Sequence, residues 1–216
     1  KQNNINVISV FDDDYPQMLK EIYAPPICLY IKGNLQLLKM QNISLIGCRK
    51  CSQYGKKTAY YFSYNLSKAG FNIVSGLARG IDSYSHIGCL AAKGKTIAVM
   101  GSGLDNIYPK ENEQLVNEII KQNGAIITQY PLGTKPEKNN FPARNRIISG
   151  LSKAVLVIEA RAKSGTLITV DFALEQGKDV FAVPGNINSA NSVGTNELIK
   201  QGAIPVCNYK DILDNI

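Results

Sequence analysis

From Ile43 onward the chain alternates short, continuous apolar runs with longer amphipathic stretches. The runs fall at 43–46, 71–74, 96–100, 125–128, 154–158 and 180–183. Unbroken apolar runs of this length predict strands buried on both faces, as in a parallel sheet, where alternating ones would predict a half-exposed strand. Between them the pattern predicts helices over 53–69, 81–93, 111–122, 145–151 and 167–176. The first 40 residues read differently. An acidic Asp12-Asp13-Asp14-Tyr15-Pro16 start leads to a short helix at 17–22, the stiff Ala24-Pro25-Pro26 and an apolar stretch at 27–31. Stiff, turn-rich punctuation of this kind predicts a lead-in that packs on the main domain.

Strands alternating with helices point to an α/β protein with a doubly wound, mostly parallel, Rossmann-like sheet. The division expected is a lead-in over 1–40 and a main domain over 41–216. In such sheets ligands bind beyond the carboxyl ends of the strands, where loops meet helix N-termini. Those loops carry most of the glycines that matter. The first strand ends in Gly47-Cys48-Arg49, the second in Ser75-Gly76-Leu77-Ala78-Arg79-Gly80, the third in Gly101-Ser102-Gly103. Three glycine-rich turns on one sheet edge suggest a long anion or several phosphates, with Gly47 letting backbone approach and Arg49 clamping a phosphate. After the fifth strand, Lys163-Ser164-Gly165-Thr166 forms a further nest, Ser164 or Thr166 capping the next helix and Gly165 exposing N–H groups. Glu159, at the same strand end, reads either as orienting Lys163 or as bonding a base edge.

The 131–146 stretch predicts a proline-punctuated loop that sets Lys135, Lys138, Arg144 and Arg146 around Phe141. Cations for a backbone and a ring for a base are what single-stranded nucleic acid binding requires. Phe141 reads equally well as a buried anchor. The 24 Lys+Arg against 17 Asp+Glu, a net charge of +7, favour a polyanionic partner.

Several classes recede. Gly76 and Gly80 lack the dinucleotide-binding spacing, no Walker lysine follows a glycine-rich loop, and no nucleophile stands in order with a base and an orienter. Asp82 and His86, four apart, could share a helix face, but a first-turn aspartate and a structural histidine explain them as simply. The five cysteines are odd in number and without framework spacing, which suits a reducing compartment. Cys48-Arg-Lys-Cys51 spells half a zinc or redox motif, but with one histidine a metal site is hard to assemble, and no metal or cofactor is expected. No run approaches the roughly 20 apolar residues of a membrane span. A soluble, cytoplasmic protein is expected, and Lys1 in place of Met suggests a piece of a longer one.

Read together, Gly47-Cys48-Arg49, the 75–82 turn, Gly101-Ser102-Gly103, Phe141-Pro142-Ala143-Arg144-Asn145-Arg146, Lys163-Ser164-Gly165-Thr166, Val183-Pro184-Gly185 and Gly194-Thr195-Asn196-Glu197 stand in the order of the DprA/Smf family, which the chain resembles over roughly residues 15 to 206. The resemblance implies a non-enzymatic homodimer that binds and protects incoming single-stranded DNA in natural transformation and helps load the RecA recombinase. It places DNA contacts at Arg49 and Lys138, then at Phe141, Arg144 and Asn145. Cys48 departs from the family's small hydroxyl residue. The competing expectation is a nucleotide-handling phosphoribohydrolase resembling the LOG proteins, from an imperfect echo in Gly165-Thr166 with Glu175.

Overall fold

The computed structural model describes residues 5–216. Among these residues nine strands form a single sheet in the order β1-β2-β6-β5-β4-β3-β7-β8-β9. In chain order the elements are β1 (Ile5–Ser9), α1 (Gln17–Lys20), β2 (Cys28–Gly33), β3 (Asn42–Ile46), α2 (Gln53–Lys68), β4 (Asn72–Ser75), α3 (Ile81–Ala91), β5 (Thr96–Val99), α4 (Glu113–Lys121), β6 (Ala125–Thr128), α5 (Asn140–Gly150), β7 (Ala154–Val157), α6 (Gly165–Glu175), β8 (Asp179–Ala182), α7 (Val193–Lys200), β9 (Ile204–Pro205) and α8 (Lys210–Leu213). Strands β3 to β9 run parallel, with registers such as Ser44 against Val74 on one side and against Val155 on the other. This is the doubly wound, mostly parallel α/β architecture that the apolar runs predict.

The lead-in enters that sheet directly. β2 pairs antiparallel with β6, and β1 pairs antiparallel with β2. Leu29 and Ile31 of β2, with Leu19 of α1, are fully buried in the same cluster as Val155 and Val157 at the sheet's centre. Successive strand residues point to opposite faces. Val74, Val155 and Val157 therefore pack on one side with Ile147, Val170 and Leu198 of α5, α6 and α7. Ile73, Leu156 and Phe181 pack on the other with Phe62, Ile81 and Ile212 of α2, α3 and α8. Val116 and Ile119 of α4 extend that second layer.

From β3 the chain winds outward through β4, β5 and β6, then returns past β3 to continue through β7, β8 and β9. The reversal lies between β3 and β7. There the connections leave to opposite faces of the sheet and open a crevice beyond the strand ends.

Candidate nucleic-acid interface

A cleft of about 710 Å³ occupies that crevice. The loop after β3 supplies Arg49 and Lys50, the loop after β7 supplies Arg161 and Lys163, and the segment entering α5 supplies Lys138, Phe141 and Arg144. Six cationic side chains thus line one hollow, and among the described residues lining it Asp82 is the one acidic group. Arg49, Lys50, Lys138, Arg161 and Lys163 are exposed.

Ten of the fifteen residues expected at the site line this cleft: Gly47, Arg49, Lys138, Phe141, Arg144, Asn145, Lys163, Ser164, Gly165 and Thr166. Ser164 caps α6, its hydroxyl accepting the N–H of Thr166 at 3.2 Å, while a side chain at Gly165 would meet open space. The half-buried Phe141 ring rests on Gly101, with the Arg49 guanidinium 5.5 Å and that of Arg144 5.9 Å from its centroid and Tyr108 tilted against it at 5.5 Å. It is anchored on one side and lines the cleft on the other.

The remaining five lie beneath or away from the cleft. Ser75 is fully buried, donating to the Leu45 carbonyl at 2.6 Å, and Ser102, 1% exposed, donates to that of Asn106 at 2.7 Å. Gly76 and Gly101 are packing glycines. A β-carbon at Gly76 would lie 2.7 Å from Asp82 Oδ2 and 3.0 Å from Arg144 Nη2; one at Gly101 would lie 2.9 Å from the Phe141 ring. Gly47 lines the cleft but is of the same kind, since its β-carbon would press on Ile81 at 2.6 Å. Arg146 turns away to donate to the Ala24 carbonyl at 2.8 Å and to Gln129 Oε1 at 2.7 Å, tying α5 to the lead-in.

Arg144 borders the cleft from within. It is 3% exposed, and its Nη1 donates to the carbonyls of Gly76 and Val99, at the ends of β4 and β5. Asp82 accepts from the backbone N–H groups of Gly76 at 3.1 Å and Ala78 at 3.3 Å. Burial pushes its carboxyl up to about 6, against the lowering by Arg144 and the backbone donors. His86 is not its partner. The imidazole is fully buried with Nδ1 2.7 Å from Thr96 Oγ1, and burial drives it down to about 3.

Glu159 does not orient Lys163. Its carboxylate accepts the backbone N–H of Ser52 at 2.9 Å, the Ser52 hydroxyl, and Asn191 Nδ2 at 3.3 Å. Burial raises the thiols of both Cys48 and Cys51, opposite to what a redox nucleophile needs. Glu175 ends α6, about 15 Å along the helix from Gly165 at 1.5 Å per residue, too far to act with Thr166. The cleft-lining cations that sequence reasoning passed over are Lys50 and Arg161. Each stands at a strand end already singled out for its neighbours, which was the available signal.

A family model described as DNA recombination-mediator protein A matches residues 6–216. The chain is 46% identical over 205 residues to DNA processing protein DprA of Streptococcus pneumoniae, covering 95% of this chain and 72% of that one. It is 43% identical over 217 residues to the DprA of Bacillus subtilis, covering 100% and 73%. The X-ray structure of the Streptococcus pneumoniae protein superposes with a TM-score of 0.93 at 44% identity, over 99% of this chain and 75% of that one. DNA processing protein A of Helicobacter pylori, a structure described for its single-stranded DNA binding mode, gives 0.88 at 31% identity, over 98% and 95%. A molybdenum cofactor binding protein from Rippkaea orientalis, at 17% identity and 0.55 over 80% and 91%, shares the fold alone. The match runs through the strands, the reversal point and every loop that lines the cleft, and the chain belongs to the DNA recombination-mediator protein A family.

Proposed function

We infer that the cleft at the sheet reversal binds single-stranded DNA. Phosphates lie against Arg49, Lys50, Lys138, Arg161 and Lys163 and near the N-termini of α5 and α6, and a base stacks on the open side of Phe141. The observation that carries this is the convergence of those cations on one half-buried ring. Cations serve the backbone and the ring serves any base, a sequence-tolerant mode of recognition. The Helicobacter pylori relative, whose structure is named for single-stranded DNA binding, is similar over nearly all of this chain, which supports the same ligand here. The role is binding rather than catalysis: Asp82 is committed to two backbone donors, and the cysteines are held as thiols. Within the family's setting the protein protects the incoming strand in natural transformation and, as a cytoplasmic homodimer, helps load the RecA recombinase onto it.

Fluorescence anisotropy with oligothymidine tests the reading. Binding should weaken with salt by about 0.7 log units per log unit of salt for each phosphate neutralised. The Arg49→Ala/Lys138→Ala variant should bind at least tenfold more weakly, with a slope shallower by roughly 1.4. Equal affinity for the variant, or for duplex and single strand, would defeat the assignment.

A further inference from the structure

Across the 48–52 loop from the cleft lies a second hollow, of about 460 Å³, lined by Ser52, Tyr54, Glu159, Pro184, Asn186 and Ser192 among others. Two features give it a definite chemistry. Glu159 is 2% exposed and held in place by Ser52 and Asn191. Among the described residues only the Ser52 hydroxyl engages its Oε1, and a carboxylate oxygen accepts two hydrogen bonds, so one acceptor position is unused. Tyr54 is 53% exposed, and its hydroxyl reaches the Pro184 carbonyl at 3.4 Å.

The hollow and the cleft share a wall. Glu159 lines the hollow and accepts the Cys48 N–H on its carbonyl at 2.9 Å. Asn191 Nδ2 donates to the Lys50 carbonyl at 3.1 Å, and its Oδ1 accepts from Arg161 Nε at 2.9 Å, so the Lys50 backbone and the Arg161 guanidinium, both on the cleft side, brace the same wall. Past Tyr54, a smaller hollow of about 350 Å³ continues along α2 with Lys57 and Tyr61.

A fixed carboxylate repels phosphate but accepts from an amino group. An exposed tyrosine beside it offers a face for stacking. A nucleobase has both complements, and the exocyclic amino groups of cytosine, adenine and guanine are donors that thymine lacks. We propose that this hollow takes a nucleobase of the strand held in the cleft, with Glu159 accepting from its amino group and Tyr54 stacking on its ring. Thymine's one ring donor, N3–H, is flanked by two carbonyl oxygens that a carboxylate repels, so bases bearing an amino group are preferred over thymine at this position. The proposal rests on the cleft being a single-strand site, and it adds a base-selective step to a sequence-tolerant one.

The test is an anisotropy series with oligothymidine and oligodeoxycytidine of about four and about twelve nucleotides, spanning the lengths that compact single-strand sites cover. Wild type should favour the longer oligodeoxycytidine over the equally long oligothymidine by about fivefold or more. Tyr54→Ala should weaken the longer oligodeoxycytidine about fivefold or more without changing the salt slope, and leave the short oligomers unaffected. Glu159→Gln should erase the preference. Because Glu159 also holds Ser52, Tyr54→Ala supplies the independent arm. Full wild-type binding with no base preference and no dependence on Tyr54 would overturn the hollow while leaving the cleft intact. Free deoxycytidine monophosphate binding as tightly to Arg49→Ala/Lys138→Ala as to wild type would assign the hollow to a free nucleotide and overturn the strand assignment. Absence of any oligomer binding by wild type would remove the cleft reading itself, and this proposal with it.

Discussion

Arg144 shows how a charge can border a binding cleft and still belong to the fold. Its guanidinium satisfies two strand-end carbonyls in the interior, and removing it leaves them buried without donors. Each such orphan costs about 1–3 kcal/mol. Arg144→Ala should therefore lose about 3 kcal/mol of stability in urea unfolding, whereas Arg49→Ala, at an exposed position, should stay within about 0.5 kcal/mol of wild type. Asp82 and His86 make a second pair of opposed effects. Below the ordinary histidine value of 6.5 the unfolded chain takes a proton that folded His86, at about 3, refuses, so stability falls with pH. Between about 6 and 3.8 folded Asp82 takes a proton that the unfolded chain refuses, so its contribution grows as pH falls and is lost as pH rises through about 6. The two nearly cancel over that window. Asp82→Asn removes the compensation, and its stability should fall with acidification more steeply than wild type by about 1.4 kcal/mol per pH unit between about pH 6 and 4. Parallel pH profiles would contradict this. Residues were the least legible level of the sequence. A glycine at a strand end shows that something comes close, but Gly47, Gly76 and Gly101 admit Ile81, Asp82 with Arg144, and Phe141, where a phosphate was expected.

Ser52 begins α2 by accepting the N–H of Gly55 at 3.0 Å, and its own hydroxyl donates to Glu159, so one side chain sets both the helix start and the wall between the two hollows. Ser52→Ala should destabilise the fold by about 1–2 kcal/mol, measured by denaturant midpoint, and Ser52→Thr should restore most of it. The central elements were legible because a strand covered on both faces must be apolar throughout. The runs at 43–46, 125–128 and 154–158 coincide with β3, β6 and β7 to within a residue. β1 leaves no such run because it is an edge strand with Val7 more than half exposed, and β9 leaves none because it is two residues long. α5 starts at Asn140, five residues before its expected start. Pro142 reads as loop punctuation, yet in a first helical turn its missing N–H breaks no helical hydrogen bond. That early start fixes Phe141 and Arg144 on a helix, and with it the geometry of the ring among its cations.

At the scale of the whole molecule, the lead-in is part of the sheet's hydrogen bonding and of its largest apolar cluster. A chain lacking residues 1–40 should expose the edge of β6 and fail to give a cooperative thermal transition; a sharp transition with native circular dichroism would show that 41–216 folds alone. The architecture was readable from pattern alone, since alternating strands and helices leave few ways to wind. The strand order, and so the position of the reversal, was not readable that way, because each buried run fits any neighbour equally well. The cleft assembled at that reversal draws its cations from stretches about ninety and twenty residues apart, and only folding brings them together. Folding therefore works against its own like charges, and the unliganded protein carries that repulsion as a standing load. Dissolved salt relieves the load but competes with a polyanion for the same groups. Raising ionic strength should lift the melting temperature while loosening the ligand, and a bound oligonucleotide should lift it most at low salt, where it is the only counter-charge at hand.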